Sequence, residues 1–265
     1  MSGFQSLDRA IEVLFAFSRE TPRLTADELA RIAGLPRGSV YRYINALLEH
    51  GLLERANDKG QFKLGYRLVY FQSSVEYEND IEDYALPLME QIRQATSETV
   101  HLTLLRGHRA VDVRSLESRA NVRVAPPLGK PVYLHAGANN KVILAFRPER
   151  EWEAVMSQGL PCYTENTITD GAALAAELRK IRREGFAVSD HEMHEGAWGA
   201  AAPIVDVDGH AIASIGVSGP IFRRTEELVH TSVALLIEYA GHISSRLLGN
   251  NRTYSKNGNR LPANR

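Results

Sequence analysis

Residues 24 to 51, LTADELARIAGLPRGSVYRYINALLEHG, leave the chain little freedom in its local structure. Thr25 followed three residues later by Glu28 has the spacing of a capping box, in which each side chain satisfies a backbone N–H that the first helical turn leaves free. This predicts a helix over about Ala26 to Ala33. Gly34 supplies a left-handed stop, and Pro36 suits the first position of a following helix, where its missing N–H is not needed. That second helix runs to His50, with Val40, Ile44, Leu47 and Leu48 as its buried stripe. Arg37, Ser39, Tyr41, Arg42 and Asn45 are left facing outward.

The neighbours of this segment say what such a face is for. Ahead of it, Leu7, Ala10, Ile11, Leu14, Phe15 and Phe17 recur at helical spacing up to Pro22. Behind it, LLER at 52 to 55 and QFKLG at 61 to 65 read as a hairpin across the turn residues Asn57, Asp58, Lys59 and Gly60. Helix, helix, tight turn, helix and hairpin make a winged helix-turn-helix over residues 1–65, with the helix-turn-helix at about 26–45. The formal net charge of −1 gives no global attraction to polyanions, but six basic residues stand against three acidic ones between Arg31 and Lys63. A helix in the major groove presents a few donors to base edges while its N-terminal N–H groups and neighbours hold phosphates. Arg37, Ser39, Tyr41, Arg42 and Asn45 fit that demand, and Gly38 keeps the backbone slim for close approach. Arg9 and Lys59 are further candidates for phosphate contact, with an ordinary salt bridge the equally open alternative.

Residues 66–82 read as a linker helix, residues 83–250 as a second domain of strands and helices, and the polar stretch 251–265 as a disordered tail. A single cysteine, Cys162, the absence of a leader-like apolar run at the start and the lack of roughly 18 uninterrupted apolar residues predict a cytoplasmic protein with no membrane partner.

SLDRAIEVLFAF, LTADELARIAGLPRGSVYRYINALLEHGLLER and FKLGYRL resemble the N-terminal domain of the IclR family of bacterial transcriptional regulators. TVHLTLL, PLGKPVYLHAGANNK, TITDGAALAAELRKIRREGFAVSD and AAPIVDVDGHAIASIGVSGP are similar to its effector-binding domain, so the resemblance covers roughly residues 5 to 248. It implies an α+β chain: a winged helix-turn-helix, a linker helix, and a GAF-like C-terminal domain with an antiparallel six-stranded sheet and flanking helices. It also implies a regulator, here expected to be a repressor, whose hold on double-stranded operator DNA is controlled by a small carboxylic acid. Such regulators are homodimers or dimers of dimers, which agrees with the geometry of recognition, since two helices about 34–36 Å apart read more sequence than one.

Carried onto this sequence, the family pattern puts Ala138 and Asn139 at a helix N-terminus whose N–H groups hold the carboxylate. It puts Ser189, Asp190, Gly199, Gly216 and Ser218 along the pocket, with Trp198 as a wall. Several of these places often hold acidic, cysteine or serine residues in the family; Ser189, Gly199 and Gly216 imply a roomier pocket for an aromatic or bulkier acid. His101 and His135 flank sheet-to-helix junctions near the ligand, where their charge tunes anion binding. His191 and His194, with Glu192 and Glu195 nearby, have the wrong interval for a helical zinc motif, and neither a metal nor another cofactor is expected. Cys162 has no evident histidine partner and no Gly-rich phosphate loop is present, so the chain is not read as an enzyme. The alternative is a metabolite-binding protein or enzyme with an accessory helical N-terminal domain.

Overall fold

The apolar spacing near the N-terminus produces α1 (Gln5–Phe15), and the capping-box segment produces α2 (Ala26–Ile32) and α3 (Arg37–Glu49). This computed structural model describes residues 5–18, 21–56, 60–74 and 79–256. Both bonds of the capping box are present: Glu28 N–H donates to Thr25 Oγ1 at 3.3 Å, and Thr25 N–H donates to Glu28 Oε2 at 2.7 Å. The Glu28 carboxyl is held below its ordinary pKa first by that backbone bond. Gly34 adopts φ +61°, the left-handed stop. Pro36 sits one place earlier than expected, in extended geometry at the N-cap of α3, because its fixed φ of −60° is paired with ψ 140°.

The strands β1 (Leu24–Thr25), β2 (Leu53–Arg55) and β3 (Gln61–Leu64) form a small sheet with β3 in the middle, followed by α4 (Arg67–Ser74). β1 is two residues long and carries no periodicity of its own; its place comes from the Leu24–Phe62 pairing. Val13, Leu29, Val40, Ile44 and Leu53 form the core. Tyr43 joins it and Leu48 is only half-buried, so the α3 stripe is rotated slightly from the expected one.

The chain divides into two compact units at residues 77 and 78, within the stretch read as the linker. The second unit contains α5 (Asn79–Thr96), β4 (Thr99–Arg106), β5 (Arg109–Leu116), β6 (Pro131–Tyr133), α6 (Ala138–Ala145), α7 (Glu149–Met156), α8 (Gly171–Glu184), β7 (Ala187–Asp190), β8 (Ala197–Val205), β9 (Ala211–Pro220) and α9 (Glu226–Lys256). Its sheet is antiparallel throughout, in the order β6-β5-β4-β9-β8-β7. Alternation along β4 and β9 sends Val100, Leu102, Leu104, Ile215 and Val217 to one face, where α5 and α9 pack, and leaves His101, Thr103, Ser214 and Gly216 to the other, under α6. β6 begins with a proline, which an edge strand tolerates. α9 continues to Lys256, past residue 251 where a disordered tail was expected to start; residues 257–265 lie outside the described ones. No helix among the described residues is long and apolar enough to cross a membrane.

Candidate nucleic-acid interface and effector cavity

On α3, Arg37, Tyr41, Arg42 and Asn45 are exposed and Ser39 is half-buried. Pro36 offers no side-chain cap; Ser39 N–H turns back to the Pro36 carbonyl at 2.9 Å, which leaves the Arg37 and Gly38 N–H groups uncapped. The two arginines are differently engaged. Arg37 Nε lies 2.6 Å from Asp27 Oδ1 of α2, whereas Arg42 Nη2 donates to Tyr43 Oη at 3.1 Å with its guanidinium 5.2 Å from that ring. The Arg37 pair is solvent-facing and weak enough to exchange for a phosphate, whereas the Arg42 bond ends on a tyrosine whose ring belongs to the core. Arg9 makes an ion pair with Glu12 at 2.8 Å, and Lys59 lies outside the described residues.

In the second unit a cavity of about 460 Å³ opens at the head of α6. His101 from β4, Ser218 from β9, Gly199 from β8, Ser189 from β7, and Ala138 and Asn139 from α6 all border it. Trp198 also borders it, but its indole packs in the α5–α9 core on the opposite face of the sheet.

Three expected positions do not. Asp190 pairs with Trp198 in the ladder and therefore points to the far side of the sheet, where its Oδ1 meets Arg224 Nε at 3.0 Å. Gly216 faces α6, but the Asn139 carboxamide lies over it, so a methyl group there would overlap the amide oxygen. The space that glycine was expected to give the ligand is filled by the protein. His135 is fully buried, donates its Nε2–H to the Pro161 carbonyl at 2.9 Å, and stacks on Tyr163 behind the wall.

The donors at the head of α6 are partly spent. Gly137, at φ +83°, donates its N–H to Glu192 Oε2 at 3.0 Å, and Ala138 donates to Ser189 Oγ at 3.0 Å. Glu192 is in turn bound by Lys141 Nζ at 2.5 Å, and Lys141, only 1% exposed, also reaches Glu177 of α8 at 3.1 Å. The N–H groups of Asn139 and Asn140 remain for an anion. Tyr133, Tyr163, Asp112 and Lys130 complete the walls and were missed in the sequence; they come from β5, β6 and loops far apart in the chain, with no shared spacing to find them by. In the HEMH stretch, His191 Nδ1 accepts from Gly196 N–H at 3.0 Å and Glu192 belongs to Lys141, so these side chains do not converge on a metal position among the described residues.

Burial pushes His101 below its ordinary pKa, opposed by the charge of Asp112; burial does the same to His135. Both are therefore neutral in the fold while the unfolded chain takes up protons below about pH 6.5. Stability is fully present above that pH and is lost as pH falls. Glu90, held near 2 by Arg93, adds its own loss only below about 4.5. Denaturant midpoints measured from pH 7 to 4.5 should fall, and His101→Asn should flatten the slope in that window; an unchanged slope would sink the assignment.

Residues 74–245 match the family described as Bacterial transcriptional regulator IclR C-terminal, and residues 6–56 match the IclR helix-turn-helix domain. The chain belongs to the IclR family. Among IclR relatives, the transcriptional repressor IclR of Escherichia coli is 26% identical over 243 residues, 91% of this chain and 89% of that one. The crystal structure of the Thermotoga maritima IclR aligns with a TM-score of 0.75 at 31% identity, covering 92% of this chain and 99% of that one. An IclR homologue from Microbacterium hydrocarbonoxydans, crystallised with 4-hydroxybenzoate, gives a TM-score of 0.75 at 27% identity, covering 91% and 98%. The α+β architecture is that of the IclR regulators: a helix-turn-helix for DNA and a C-terminal effector domain.

Proposed function

We propose that this chain is a cytoplasmic, homo-oligomeric repressor whose α3 lies in the major groove of an operator and whose cavity takes a small organic acid. The observation that carries the proposal is the cavity itself: apolar and aromatic walls, free N–H groups at a helix start, and a few hydroxyls, which is what a small carboxylate needs. The 4-hydroxybenzoate bound by the Microbacterium homologue supports an aromatic acid. Gly38 supports the groove. A Cβ there would meet nothing within 4 Å, so the fold itself does not require glycine at an exposed helical position where glycine weakens the helix. Wide clearance on the outer side is what close approach to a duplex uses.

Self-association is supported by α1. Leu7, Ile11 and Phe15 recur at four-residue spacing and are 59%, 39% and 81% exposed, a stripe of apolar surface on the side away from Val13. On α4, Val69, Tyr70 and Phe71 are likewise exposed. Catalysis has little to recommend it. Ser218 Oγ lies 2.5 Å from His101 Nε2, but His101 Nδ1 is buried with no hydrogen-bond partner among the described residues, and burial outweighs the charge of Asp112 in disfavouring the imidazolium that a nucleophilic serine requires.

Anisotropy titrations with promoter fragments flanking the chain's own gene test this reading. Log affinity should fall linearly with log salt as phosphate contacts release counterions. Phe15→Glu should lower both the sedimentation coefficient and operator affinity by more than about tenfold. A native protein that sediments as a monomer and ignores these fragments at low salt would overturn the proposal.

A further inference from the structure

The hydrogen bonds on the cavity floor have a fixed direction. Asp112 Oδ1 accepts the Thr103 hydroxyl proton at 2.5 Å, and a carboxylate can only accept. With its single proton spent, Thr103 Oγ1 accepts from Asn139 Nδ2 at 2.7 Å, which turns the other end of that carboxamide toward Gly216. Thr103 is fully buried, so no solvent relay can reverse the order. The orientation of the whole chain, Asn139 to Thr103 to Asp112, is set by the acceptor at its end.

The side chain of Asp112 borders the cavity, and its Oδ2 receives no donor from the described residues. Glu192, the other carboxylate on the wall, has both oxygens engaged by Lys141 and Gly137. His101 Nε2 and Ser218 Oγ satisfy one another through a bond that either can donate, while the buried His101 Nδ1 has no partner among the described residues. Lys130 is exposed at the rim, where an ammonium suits a ligand's acid group. Of the two carboxylates on the cavity wall, Asp112 is the one with an oxygen still open to a hydrogen-bond donor.

We infer that the ligand of this cavity carries, besides its acid group, a hydroxyl or amino group that donates to Asp112. The inference rests on the acid-effector reading of the same cavity and narrows it. An ionised acid without such a group offers Asp112 nothing and places a like charge beside it, whereas a donor to a carboxylate forms a charge-assisted bond.

Calorimetric titration of the full chain with matched probes tests this: 4-hydroxybenzoate and 4-aminobenzoate against benzoate and 4-methoxybenzoate, lactate against propionate, and neutral 4-hydroxybenzyl alcohol. The hydroxyl and amino compounds should bind at least about tenfold tighter than their partners, the usual size of a hydrogen bond to a charged group. In Asp112→Asn the Thr103 proton still finds the amide oxygen, so an N–H faces the cavity and the preference should vanish or invert in favour of the bare acids. Thr103→Val keeps the carboxylate in the cavity and should keep the preference, which separates a specific role of Asp112 from general damage to the floor; melting curves of each variant check that it is folded.

Equal binding of the bare and donor-bearing acids, or an unchanged ratio in folded Asp112→Asn, overturns the inference and leaves the acid reading standing. Binding of the neutral alcohol as tightly as of the hydroxy acid does the reverse. If no probe binds, both fall. The relative preference for hydroxyl or amine identifies which donor the cavity takes.

Discussion

Replacing Lys141 with methionine should lower the stability of the effector-binding unit by about 3–5 kcal/mol, the usual cost of removing one partner from a buried ion pair. The ammonium is 1% exposed and bridges α6, α8 and the 191–196 loop through Glu177 and Glu192. Its removal leaves Glu192 in an apolar setting with only the Gly137 N–H to hold it. Chemical denaturation followed by tryptophan fluorescence measures the loss, since Trp152 and Trp198 both lie in this unit's cores. The double variant Lys141→Met, Glu192→Gln should recover part of it, because the uncompensated charge is then gone. A loss below about 1 kcal/mol would show that the pair is not buried in solution as it is here.

Arg42→Ala should weaken specific operator binding by about 1–3 kcal/mol, roughly 5- to 150-fold, and leave the fold intact. The side chain is exposed, so its removal opens no cavity in the core, and the lost hydrogen bond to Tyr43 is worth about 0.5–1.5 kcal/mol at most. If Arg42 reads a base, the variant loses discrimination between operator and mutated operator. If it holds only a phosphate, affinity falls uniformly and the salt slope drops by about one. Retained discrimination with a shallower slope would move Arg42 from the first role to the second.

How much of this could be read in the sequence depended on how local the cause was. The capping box at Thr25 and Glu28, the stop at Gly34 and the outward face of α3 are set by neighbours within a turn or two, and local spacing alone exposes them. The alternating strands β4 and β9 were legible for the same reason. The cavity was less so. The family pattern puts Asp190 beside the ligand, yet a strand flips its side chains at every residue and register alone decides which face that is. Gly216 looked like empty space because a sequence shows what a residue lacks and not which neighbour moves in; Asn139, distant in sequence, fills it. Lys141 stood inside a quoted motif, but its partners Glu177 and Glu192 lie 36 and 51 residues away and carry no mark that would pair them with it.

Helix α6 is buried on nearly every side: Ala138 and Asn140 at its head touch the cavity, while Val142, Ile143, Leu144 and Ala145 belong to the core behind it. One eight-residue segment thus serves both chemical taste and structural integrity. Mutations that retune which small molecule the effector domain accepts will tend to arise at its first turn, where they are also paid for in folding, so descendants with new effectors should carry compensating changes in α8, β8 and β9, the elements that grip the same segment.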